Sequence, residues 1–113
     1  MGIAVFAVAS DGTGAIFTGS RALQSGRLRS VSAAVVGEML GVTTCFVHAF
    51  ITKGGTDPGD AVQELFADYI EFNTGLNWDG SFAIDSDEIV VGTVQSDAAT
   101  TIQFQIQVDL TGL

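Results

Sequence analysis

The chain reads as a mainly β protein, an antiparallel β-sandwich or barrel, on three observations. Val, Ile and Thr supply 31 of its 113 residues, a usage that favours strands over helices. Residues 101–110 alternate without a fault, with Ile102, Phe104, Ile106, Val108 and Leu110 on one face and Thr101, Gln103, Gln105, Gln107 and Asp109 on the other. Successive strand side chains point to opposite sides, so this is a half-buried antiparallel strand. Turn chemistry then cuts the rest into short pieces at Asp11-Gly12-Thr13-Gly14, Ser25-Gly26, Lys53-Gly54-Gly55-Thr56, Asn73-Thr74-Gly75 and Asp79-Gly80.

Along the chain, residues 3–9 form an apolar run with no basic segment before it, ended by Ser10-Asp11. It reads as a first strand rather than a leader. Residues 1–20 are an N-terminal arm or an edge strand of a single domain, 1–113. Further strands are expected at 15–18, 28–36, 43–52, near 69–73, and at 81–84. Residues 88–94 are rich in β-branched side chains, and the short polar link 95–99 predicts a hairpin with the last strand. One segment departs from period two. Asp57-Pro58 offers an N-cap with proline at the first helical position. Val62, Leu65, Phe66, Tyr69 and Ile70 then recur at helical spacing. A short helix or helical turn around 58–67 is expected, followed by a strand, although residues 67–72 also fit an extended strand.

Composition bounds the function. At 47% hydrophobic and 15% charged, the chain has the material for a packed core. One cysteine cannot form an internal disulfide. No run approaches the ~18 apolar residues of a membrane span, and a soluble protein without membrane contact is expected. The net charge of −9 opposes nucleic-acid binding. It is also uneven: residues 1–53 sum to +2, whereas 54–113 hold 11 acids and no Lys or Arg. This is either a solvated acidic surface or a dipolar subunit whose acidic half meets a basic partner or a second copy.

Catalytic parts are scarce. His48 is the single histidine and lies inside the apolar run Cys45-Phe46-Val47-His48-Ala49-Phe50-Ile51. Cys45 and His48 are three apart, so a strand turns them to opposite faces and they form no dyad. Cys45, Val47, Ala49 and Ile51 make one apolar face; Phe46, His48 and Phe50 make the other. A strand apolar on both sides is covered on both sides. The second cover is a loop, the segment 58–70, or another subunit, and a subunit contact is favoured. Arg27 and Arg29 flank Leu28 on one strand face, either in solvent or paired with carboxylates of a neighbour. One Cys and one His fall short of a zinc site. Asn77, Asp79, Asp85, Asp87 and Glu88 offer oxygens but match no calcium-loop signature, so no metal or cofactor is assigned. Trp78, with Asp79 beside it, lies in a Gly-rich stretch. It either caps the core or stacks on a sugar.

The order Ser25-Gly26-Arg27-Leu28-Arg29-Ser30-Val31-Ser32 resembles the strand that opens many small jelly-roll virion proteins of tailed bacteriophages. So does the string Leu76-Asn77-Trp78-Asp79-Gly80-Ser81-Phe82-Ala83-Ile84, followed by Asp87-Glu88-Ile89-Val90-Val91 and the last alternating strand. The resemblance covers roughly residues 20–110 and carries no catalytic residue. It implies a jelly-roll-like sandwich that forms a homo-oligomer, commonly a trimer. It also implies a place on the capsid exterior of a virion made in the host cytoplasm, as a head decoration (cement) or fibre-type protein bound to the major capsid protein or another virion protein. The expected function is therefore structural and non-enzymatic, with Phe46, His48, Phe50, Arg27 and Arg29 as the contact residues. A carbohydrate-binding module or tail adhesin built on Trp78 and Asp79 is the alternative.

Overall fold

The computed structural model describes residues 2–36, 44–71 and 74–110. The eight strands are β1 (Gly2–Asp11), β2 (Ile16–Ala22), β3 (Gly26–Val36), β4 (Cys45–Thr52), β5 (Gln63–Tyr69), β6 (Leu76–Ile84), β7 (Ile89–Ser96) and β8 (Ala99–Leu110). They form two four-stranded antiparallel sheets, ordered β1-β8-β3-β6 and β2-β7-β4-β5. The pairing is nested: β1 with β8, β2 with β7, β3 with β6, and β4 with β5. A chain folded back on itself between β4 and β5 and then rolled into two sheets produces this order, which is the jelly-roll topology.

The core lies between the sheets. Ile102, Phe104 and Ile106 of β8 and Leu28 and Val31 of β3 meet Val47, Ala49 and Ile51 of β4 and Val90 and Val94 of β7, all at zero exposure. The alternation of β8 is as the sequence predicts as far as Val108. Leu110, at the strand's end, is instead 48% exposed. Phe104 stacks on Phe6, its cross-strand partner, with ring centroids 4.8 Å apart. The turns after β1 and β7 close one end together. Asp11 Oδ1 accepts from the Thr13 hydroxyl and amide at 2.7 and 3.0 Å, and Gly14 N donates to Ser96 O. Gly12 is required there: its φ is +81°, and a Cβ would lie 2.5 Å from the Ala98 carbonyl carbon.

Three expectations are corrected. The helix around 58–67 is a single 3-10 turn, Pro58–Asp60, and β5 follows it. The N-cap is real, since Asp57 Oδ1 accepts from Gly59 N at 2.9 Å. The helical stripe is produced by a β-bulge. Ala49 faces Phe66 and Phe50 faces Glu64, so Leu65 is the extra residue. Both Leu65 and Phe66 therefore reach the core, and two consecutive apolar contacts imitate helical periodicity. The strand expected near 69–73 is β5 itself, ending at Tyr69; positions 72 and 73 lie outside the described residues, as does position 43. The β7–β8 hairpin is also absent. The link between them crosses from one sheet to the other, because both edges of β8 are taken by β1 and β3.

Candidate functional site

The residues that sequence reasoning marks as a contact surface are largely occupied within the chain. Phe50 faces away from the inter-sheet core, yet it is fully buried in the single chain. Its neighbours are Val91, its partner on β7, and the His48 ring, 4.6 Å away between centroids. The second cover of β4 at Phe50 thus comes from the protein itself, and Phe50 has no surface left to offer a partner. His48 Nε2 sits 2.5 Å from Glu64 Oε2 on β5. Phe46 and His48 are half-buried. Cys45 points the other way, into the core, where burial and then the nearby Asp97 carboxylate push its thiol pKa up.

Arg27 and Arg29 are both exposed but both engaged. Arg27 Nε donates to Ser81 Oγ at 2.6 Å, and Arg29 Nε pairs with Asp109 Oδ2 at 2.5 Å. Arg29 stands at the bulge between Leu28 and Ser30, outside the register with β6 and β8. Carboxylate pairing does occur, with a residue of the same subunit rather than a neighbour.

Trp78 and Asp79 do not form one site. Trp78 lies in β6, not in a loop, and packs half-buried on the core. Asp79 is exposed on the opposite face, where it accepts from Asn77 Nδ2. The acidic cluster contracts to Asp85, Asp87 and Glu88, whose ligand atoms lie within 4.8 Å of one another. Buried Glu88 is spoken for: its Oε1 accepts from Asp85 N at 2.8 Å, closing the turn before β7.

What the sequence did not place together is the outer face of the β1-β8-β3-β6 sheet. Ile3, Val5, Ala7 and Ala9 of β1 lie opposite Gln107, Gln105, Gln103 and Thr101 of β8. Ser32, Ala34 and Val36 of β3 continue the last three rows. Ile3, Val5 and Val36 are 63%, 39% and 49% exposed. Among the described residues, ionisable groups at this face stand at its margins: Asp11 at one end, Arg27, Arg29 and Asp109 at the other, Asp79 on the β6 edge, and Arg21 of β2, which reaches the β1 edge and donates to Val5 O at 3.4 Å. In a chain of net charge −9, this is an uncharged field. The three strands β1, β8 and β3, ~4.8 Å apart and charge-free over about seven residues at ~3.3 Å each, span roughly 330 Å², less than half of the ~800 Å² each partner gives to a standard interface. The signal was present in the sequence as charge-free outward positions of two strands, but only the topology sets those strands side by side.

No family model and no curated protein matches the chain. Among solved structures, it is similar to a Yersinia pseudotuberculosis-derived mitogen at a TM-score of 0.54 and 9% identity, over 99% of this chain and 90% of that one. A cleaved adhesin domain of Lys-gingipain from Porphyromonas gingivalis aligns at a TM-score of 0.42 and 12% identity, over 83% of this chain and 63% of that one. The first likeness is one of fold.

Proposed function

We propose that the protein is a non-enzymatic structural subunit that associates through the outer face of its β1-β8-β3-β6 sheet. In this reading it forms a homo-oligomer, a trimer by resemblance to jelly-roll virion proteins. It then sits on a capsid exterior as a decoration or cement protein bound to the major capsid protein. The observation that carries association is the uncharged face on an acidic molecule. Two copies of net charge −9 repel one another wherever their acids approach. They can pack closely only where acids are missing, and exposed Ile3, Val5 and Val36 supply apolar contact there. The jelly-roll topology and the pattern resemblance over residues 20–110 support the virion setting.

Light scattering on the purified chain tests association. Three 11.7 kDa copies give a mass of about 35 kDa. Mass action weakens subunits held in place by a larger particle, so the concentration must be raised well above that of a dilute column run. A monomer at every concentration refutes association. Absence of the chain from purified particles of the virus that encodes it refutes the virion setting.

A further inference from the structure

The opposite sheet carries a cleft with the make-up of a sugar site. Phe46 on β4 and Tyr69 on β5 are cross-strand partners, their ring centroids 5.2 Å apart and their planes at 75°. One ring thus stands upright beside the other. β5 is an edge strand, so Tyr69 is 61% exposed. On the other flank of Phe46 lies Gln95 of β7. Its Nε2 donates to Gly14 O at 2.8 Å, which fixes the amide and leaves Oε1 to accept. Thr44 and Asp97 close the end of the cleft, with the Thr44 amide donating to Asp97 Oδ1 at 3.1 Å.

An aromatic corner beside fixed acceptors matches one ligand chemistry. A pyranose ring presents an apolar C–H face, which packs on an aromatic ring, and an edge of hydroxyls, which donate to amide and carboxylate oxygens. None of the described residues lining the cleft is cationic, and the sequence holds no Lys or Arg after Lys53. An acidic sugar would bring its negative charge toward the Asp97 carboxylate, and like charges repel. We propose that the Phe46–Tyr69–Gln95–Asp97 cleft binds neutral hexose-terminated glycans. The cleft lies on the sheet facing away from the uncharged field, so it stands or falls independently of association.

A glycan array probed with the full chain, followed by ligand-observed NMR titration of the best neutral oligosaccharide, tests this. Neutral hexose-terminated glycans bind, and sialylated and sulfated ones do not. Tyr69→Ala weakens binding at least about tenfold. Tyr69→Phe, which keeps the ring, stays within about threefold of the wild type. Circular dichroism checks that both variants remain folded, as an exposed site permits. Failure of the wild type to bind any arrayed glycan, preference for acidic glycans, or wild-type affinity in folded Tyr69→Ala each overturns the proposal.

Discussion

Gly92→Ala probes the core where it has least room. Gly92 sits in the middle of β7 and faces the other sheet, against the tip of the Phe104 ring. An added Cβ would lie 2.6, 2.7 and 2.9 Å from three ring carbons. Carbon atoms pack at ~3.5–4.0 Å, so the ring tip must retreat by about 1 Å. It has nowhere to go. Phe104 is fully buried, and its face is stacked on Phe6 with the planes within 8°. Overpacking of this kind costs ~1–3 kcal/mol. The reduced freedom of alanine in the unfolded chain returns ~0.4–1 kcal/mol, because no positive φ is needed at this glycine. The net loss is about 1–2 kcal/mol. At ~4 °C per kcal/mol for a domain of this size, the melting temperature falls by about 4–8 °C. Thermal and urea denaturation followed by circular dichroism measure it, and an unchanged urea slope shows that the native fold is retained. Phe104→Leu in the same background removes the clash, so the pair loses less than the sum of the single losses. An unchanged or raised melting temperature for Gly92→Ala, or strict additivity of the pair, refutes the packing account.

Three further outcomes follow. Cys45 is buried and its thiol pKa is raised, so at mildly alkaline pH a thiol reagent labels the native protein far more slowly than the urea-unfolded chain; equal rates contradict its placement. The Thr13 hydroxyl and amide hold the Asp11 carboxyl below its ordinary 3.8. Its contribution to stability is therefore present above that value and lost as the pH falls through the folded-state pKa; in an NMR titration, Thr13→Ala moves the Asp11 midpoint up toward 3.8. Trp78 packs on the core rather than in the proposed sugar cleft, so Trp78→Ala costs about 2 kcal/mol of stability while bound glycan leaves tryptophan emission unshifted in the wild type.

What was legible in the sequence was local. The face of β8 could be read because its inward residues, Ile102 to Val108, all meet one core. Its partners could not, since β1 lies at the far end of the chain and short-range turn chemistry favours the wrong neighbour, β7. The stripe from Val62 to Ile70 was misread because one extra residue at Leu65 shifts the pleat. The cleft is hidden for a related reason: a strand is expected near 69–73, but only the pairing of β5 with β4 sets Tyr69 beside Phe46. On the outer face of β4 the chain itself covers Phe50, whereas Phe46 and His48 stay half-buried, a difference that alternation along the strand does not reveal. The scarcity of catalytic groups was visible from composition, whereas the uncharged field appears only once β1, β8 and β3 are placed side by side.

The central claim is that copies of the chain meet through the outer face of the β1-β8-β3-β6 sheet. Light scattering on two matched charge substitutions tests it most directly: Val5→Glu, midway along the edge strand β1 of that face, and Ser20→Glu, on an exposed position of the edge strand β2 in the other sheet. Both add one acid to a surface strand. Val5→Glu is predicted to give a folded monomer at concentrations where the wild type and Ser20→Glu remain oligomeric. An oligomer that survives Val5→Glu, or one that Ser20→Glu dissociates equally well, would contradict the account.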